Sequence, residues 1–330
     1  MKSRELAVGL LVTLISIIVF LVVSEVTVRI YIRSALIYDI EMARYATEIK
    51  QTSPNPQIGH VHQPNSRSKL MGVEVNINSD GFRDAEYPVA RDGKRRIIFL
   101  GDSLTFGWGV EKSKTFEEAL ERQLSQRAPT EIINFGAGNY NTVQEVNLFI
   151  DKGLKYRPDQ VVVFFFINDA EPTPHKSNWE FLAESRIVTF FWSRFKSALA
   201  RFERNKSFKD YYADLYDDGQ PGWTAAKGAF EKLRDICAAN HIALQVVLLP
   251  ELHQLDVYPF AAEHRKIMTF LQASHINALD LAPMFADEKN PTHLWVALDD
   301  AHPNATAHAL IAKYALGFIE EGFNEPDARR

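Results

Sequence analysis

Cysteine is almost missing from this 330-residue chain: there is one, Cys237. That excludes an intramolecular disulfide and any cysteine-rich zinc site. A strong excess of one charge is missing too, since 37 Lys and Arg face 42 Asp and Glu, for a formal net charge of −5. A surface so balanced lacks the basic field of a general nucleic-acid binder, so no nucleic-acid partner is expected. No self-similarity recurs at a period of about 20–50 residues, which removes solenoids and propellers. His60 and His62 alternate on a candidate strand, but no third ligand accompanies them, so neither a metal nor another cofactor is expected. What remains, 46% hydrophobic and 24% charged residues with 16 Gly and 15 Pro, is ordinary globular composition.

One long apolar run departs from that average. Residues 6–23, LAVGLLVTLISIIVFLVV, carry no charge, and at about 1.5 Å per residue they come close to the depth of a bilayer's hydrocarbon core. The helical pattern continues through Val26, Val28, Ile30 and Ile32. Lys2 and Arg4 precede the run as in a signal peptide, yet it is longer than a signal core and no small-x-small cleavage site follows. We read residues 1–33 as an uncleaved signal anchor, a single-pass membrane helix with the following domain on the extracytoplasmic side. Arg29, Arg33 and Arg44 offset the N-terminal charges, so this orientation rests on the signal-like start and the long following domain. Tyr31, Tyr38 and Tyr45, seven residues apart, either anchor a helix at the interface or pack on the domain.

Residues 34–95 read as a juxtamembrane helix, a linker over 51–70 rich in Pro, Ser and Asn, and a small β element at 73–77 closed by Asn78-Ser-Asp-Gly81 turn chemistry. From residue 96 to 330 strand and helix patterns alternate. Short runs apolar on both faces fall at 97–100, 131–135, 161–166, 243–249 and 278–281, with helical patterns near 115–127, 142–156, 224–240, 259–274 and 304–321. This predicts an α/β fold, a three-layer α/β/α sandwich around a central parallel sheet, whose ligand sits at the carboxyl ends of the strands. Residues 170–223 exceed a simple crossover and form an insertion. Within it Val188, Phe191, Phe195, Leu199 and Phe202 recur at helical spacing among seven basic residues between 186 and 209. Such a helix packs its aromatic face on the domain, covers the site as a lid, or meets an anionic lipid or acidic glycan.

Four strand ends carry chemistry. The first strand runs into Gly101-Asp102-Ser103-Leu104, placing a hydroxyl at the sheet's C-terminal edge. The second ends in Asn134-Phe-Gly136-Ala-Gly138, where a glycine lets a backbone N–H approach a substrate oxygen. The third ends in Phe166-Ile-Asn168-Asp169, with a side-chain amide. Near the end of the chain lies Asp299-Asp300-Ala301-His302-Pro303-Asn304. A carboxylate three residues before a histidine in a tight turn reaches that histidine's Nδ1 and leaves Nε2 to accept a proton, so Asp299 is the expected partner. Capping the next helix is the other role open to Asp299, Asp300 and Asn304.

These blocks, in this order over residues 96–322, resemble the SGNH/GDSL hydrolase family. The resemblance implies a flavodoxin-like SGNH fold and ester hydrolysis through an acyl-serine, with Ser103 as nucleophile, His302 as general base and Asp299 orienting it. The Ser103 and Gly138 N–H groups and the Asn168 amide would form the oxyanion hole, Gly138 being preferred over Gly136. The family's third block is usually Gly-x-Asn-Asp, and Phe166 replaces that glycine. The implied substrate is a carboxylic ester of a lipid or of cell-envelope carbohydrate. The same residues would serve a polysaccharide O-acyltransferase, and a non-catalytic envelope scaffold could keep the fold without needing all three.

Overall fold

A computed structural model of the chain describes residues 2–32, 37–173 and 208–323. The described residues divide into two units, one up to residue 47 and the other from residue 48 onward. In the first, α1 (Lys2–Ile32) is the apolar helix, followed by α2 (Tyr38–Glu48). Residues Ala7–Thr27 have mean hydropathy 2.9 and none of that span is buried. The hydroxyls of Thr13 and Thr27 donate to the carbonyls of Gly9 and Val23 one turn back, which satisfies them within the helix itself. The helix has the length and apolarity of a membrane span, criteria that an N-terminal signal sequence also meets.

The second unit begins with two hairpins. Strand β1 (Lys50–Thr52) pairs antiparallel with β2 (His60–His62), and β3 (Arg67–Leu70) with β4 (Val73–Asn76). The first hairpin and β3 occupy the stretch expected to be linker. HVH is the candidate strand of alternating histidines, whereas KQT and RSKL are too short and polar to show a period and are held by strand pairing and tertiary hydrogen bonds.

The α/β core follows as expected. Strands β5 (Arg95–Gly101), β6 (Thr130–Asn134), β7 (Gln160–Phe165), β8 (Ala243–Leu248) and β9 (Asn277–Asp280) form a parallel sheet in the order β6-β5-β7-β8-β9. Alternation along each strand feeds two separate cores. Ile97, Phe99, Ile132, Val162, Phe164 and Val247 face α4 (Phe116–Ser125) and α9 (Ala305–Glu321). Ile98, Leu100, Ile133, Val161, Val163 and Val246 face α5 (Thr142–Leu148), α7 (Pro221–Ala239) and α8 (Ala261–Ala273). Apolar residues on both faces are what a parallel strand covered by helices on each side requires. Each fully buried large side chain contributes roughly 1.5–3 kcal/mol.

Among the described residues the unit also holds α3 (Ser103–Phe106), α6 (Phe208–Leu215) and a hairpin of β10 (Trp295–Ala297) with β11 (Asp300–Pro303). The chain leaves β5 for β6 on one side, then crosses to β7 on the other. The C-terminal end of β5 is therefore the switch point, where such sheets open a crevice for ligands. The aromatic and basic helix expected at 186–209 lies almost wholly outside the described residues.

Candidate active site

Strand β5 ends at Gly101 because nothing larger fits. A Cβ there would stand 2.0 Å from the Thr105 hydroxyl oxygen and 3.1 Å from the Phe164 carbonyl oxygen. The chain then turns into α3, whose N-cap is Asp102, its carboxylate accepting from the Leu104 N–H at 2.8 Å. Gly107, at φ +79°, closes the turn, and its N–H and that of Trp108 both reach the Ser103 carbonyl. Ser103 is thus the first residue of a short helix whose two ends are fixed, and it is 7% exposed.

The imidazole comes from 199 residues further on. His302 Nε2 lies 2.8 Å from Ser103 Oγ. Its Nδ1 lies 2.5 Å from Asp300 Oδ1, and its backbone N–H donates to the same oxygen at 3.1 Å. The Trp108 indole N–H donates to the other Asp300 oxygen at 2.9 Å. Burial alone would raise the Asp300 pKa, but the hydrogen bonds and charge from His302 and the bond from Trp108 outweigh it and hold the carboxyl below its ordinary range. The carboxylate on the imidazole is therefore Asp300, not the expected Asp299, which is exposed beside Leu298, itself 87% exposed, at the hairpin tip. The reason is local geometry. Residues 300–303 form a strand, not a tight turn, and on a strand residues two apart share a face while a residue three back does not. A strand reading of the segment before His302 would have selected Asp300. The helix cap is Asn304, whose side chain accepts from Thr306 and Ala307 N–H and donates to the His293 and Trp295 carbonyls, tying the hairpin to α9.

The two expected glycine donors separate clearly. The Gly136 N–H donates to its neighbour Asn134 Oδ1 at 2.8 Å, and a Cβ on Gly136 would stand 2.3 Å from the Phe106 nitrogen. Gly136 serves close packing of the β6 end against α3. Gly138 is buried, and its carbonyl oxygen lies 3.0 Å from His60 Nε2. At the end of β7 the Asn168 side chain lies beside the Asp102 carboxyl and favours its charged form. Phe166, where the family pattern has glycine, is extended at φ −118°, ψ 160°. Its N–H donates to Asp169 Oδ2 at 2.8 Å, so the backbone there makes no demand for glycine.

Three buried carboxyls gather behind this edge: Asp102, Glu145 and Asp169. Burial raises the pKa of all three. Asp102 raises those of Glu145 and Asp169 further, and Glu145 adds to that of Asp169. Among the described residues neither Glu145 oxygen has a hydrogen-bond partner, nor has Asp169 Oδ1. A lone buried carboxylate is costly, so this setting favours the protonated form of Glu145 and Asp169.

His60 and His62 do not converge: the second has Nδ1 at 3.1 Å from the Gly81 carbonyl. Among the described residues one group, Asp84, Glu117 and Glu118, has the spacing to hold a metal ion. The Lys112 ammonium already sits on it, 3.0 Å from Asp84 and in contact with Glu118. Arg83 is a structural residue that the sequence reading passed over. It is buried, and its guanidinium donates to the carbonyls of Phe106, Gly107 and Val110 just beyond α3.

A family model described as GDSL-like Lipase/Acylhydrolase matches residues 99–310. No curated protein is matched by the chain. Among solved structures, a two-domain esterase active on acetylated mannans is similar at 17% identity and TM-score 0.46, over 70% of this chain and 50% of that one. The chain thus spans half the length of that esterase. An acetyl xylan esterase is similar at 17% identity and TM-score 0.43, over 68% of this chain and 99% of its own. The psychrotrophic esterase EstA of a Pseudoalteromonas species is similar at 13% identity and TM-score 0.43, over 70% and 100% respectively.

Proposed function

Since the chain belongs to the GDSL-like lipase/acylhydrolase family and is on that ground an ester hydrolase, we propose that Ser103, His302 and Asp300 carry its chemistry through an acyl-serine intermediate. One observation supports this above others: a serine oxygen 2.8 Å from an imidazole nitrogen whose partner nitrogen is 2.5 Å from a buried carboxylate. Ser103 Oγ attacks the ester carbonyl while its proton passes to His302 Nε2. Asp300 stabilises the imidazolium that forms. Negative charge on the carbonyl oxygen is met by the N–H groups of Ser103 and Gly138 and by the Asn168 amide. His302 then protonates the departing alcohol. It next takes a proton from water as the water oxygen attacks the acyl-serine carbonyl, and returns that proton to Ser103 Oγ as the bond to the acyl group breaks, releasing the acid and free Ser103.

The substrate is a carboxylic ester of a membrane lipid or of cell-envelope carbohydrate, and α1 anchors the domain beside it on the extracytoplasmic face. The apolar, unburied span of α1 supports the anchor. The test of the chemistry is a fluorophosphonate probe followed by mass mapping. The probe is expected on Ser103, and Ser103→Ala should lose both labelling and turnover of p-nitrophenyl acetate while keeping its circular-dichroism spectrum. Wild-type turnover by Ser103→Ala would overturn the assignment.

A further inference from the structure

The stretch that completes the Gly138 loop lies outside the family match, which begins at residue 99. Four hydrogen bonds tie residues 50–62 to residues 138–144. Lys50 Nζ donates to Asn139 Oδ1 at 2.8 Å, and the Gln144 amide donates to the Ile58 carbonyl at 2.8 Å. The Tyr140 hydroxyl donates to the His60 carbonyl at 2.5 Å, and the His60 ring meets the Gly138 carbonyl at 3.0 Å. The Tyr140 and His60 rings pack edge to face with centroids 4.9 Å apart. Asn139, between the two held residues, is at φ +65°, a left-handed conformation that a non-glycine residue adopts at a cost. The turn that carries Gly138 is thus tied in place by groups from another part of the chain.

The state of the His60 ring follows from its surroundings. Burial first, then the neighbouring Lys50 charge, push the imidazole down to about 3, so it is neutral at ordinary pH. A neutral imidazole has one N–H, and a carbonyl only accepts, so that hydrogen is on Nε2.

The geometry points to His60 as a positioning residue for the hydrolysis proposed above: its Nε2–H holds the Gly138 carbonyl and thereby sets the backbone of the residue that offers an N–H to the carbonyl oxygen of the ester. This inference rests on that reading of Ser103 and Gly138. His60 touches no reacting atom; it acts through Gly138. Donors to a developing oxyanion act only when held close to the productive geometry, so a loosened Gly138 would weaken the transition state more than the bound ester.

The test uses the full-length protein in detergent, with p-nitrophenyl acetate as substrate and fluorophosphonate titration to count competent serines, so that kcat refers to folded sites alone. His60→Ala should lower kcat per titrated serine by roughly 10–100-fold, less than outright loss of one oxyanion donor. KM should stay within about twofold. His60→Gln, which replaces Nε2–H with an amide N–H at similar reach, should restore kcat to within about threefold of wild type. A purely structural role would lower the number of titratable serines and the melting temperature but leave kcat per serine unchanged. Wild-type kcat per serine in His60→Ala, or equal impairment of His60→Gln, would overturn the proposal. Failure of the underlying reading looks different: Ser103→Ala would then keep wild-type turnover, and the role of His60 would fall with it.

Discussion

An imidazole serves as a general base when one ring nitrogen is held and the other faces the nucleophile, and one peptide separates the two acids that offer to hold it. Asp300 receives the His302 ring, the His302 backbone and the Trp108 indole, whereas Asp299 is exposed. Asp300→Asn should therefore cost about 10²–10⁴ in kcat by favouring the wrong tautomer. Asp299→Asn should stay within about twofold, as exposed substitutions generally do; steady-state kinetics of the two variants decides between them. Glu145 allows a second test at this scale. Its pKa is raised in the fold by burial first and then by Asp102, so the native state keeps a proton that the unfolded state loses above about pH 4. Native stability then falls as pH rises from about 4 toward the raised native value, because the unfolded state binds fewer protons there. Glu145→Gln should flatten that slope in urea unfolding measured from pH 5 to 8, and exceed wild type in stability at the upper end.

At the scale of elements, the site depends on close backbone approach at a sheet edge. The β6 end and α3 touch where Gly136 has no side chain, and an added Cβ would fall 2.3 Å from the Phe106 nitrogen, a backbone atom that cannot swing aside. Gly136→Ala should destabilise the domain by about 1–3 kcal/mol, the usual cost of overpacking. It should also slow phosphonylation of Ser103, because α3 must shift; thermal melts and labelling kinetics read the two effects separately. The five core strands were legible because a parallel strand between two helical layers is apolar on both faces, as in 161–165, VVVFF, where alternate residues enter different cores. Of the hairpin of β1 and β2, the alternation of His60 and His62 marked the second strand, but β1 and the pairing were not legible. Its segments carry Lys50 and His60, whose partners lie at Asn139 and Gly138, and no local period records a bond to a residue about eighty positions away.

For the whole molecule, the open question is how a catalytic domain and an apolar helix on one chain are used. Alkaline carbonate extraction of membranes should leave the protein in the pellet at the mass of the intact chain; a soluble, shortened species would mean that α1 is removed as a signal sequence. Protease added to intact spheroplasts should degrade the domain if it faces outward, as the signal-like start implies. By itself the sequence determined the sheet and its helices, the apolar span, and the hydroxyl and imidazole that meet, because burial periodicity and strand-end motifs are written locally. The tertiary structure alone decided which of two adjacent acids faces the ring and that residues 50–83 buttress the Gly138 turn and α3. The second depends on groups brought within hydrogen-bond reach from far along the chain, and the first on strand pairing, since the direction of a side chain on a strand is settled only once that strand has a partner.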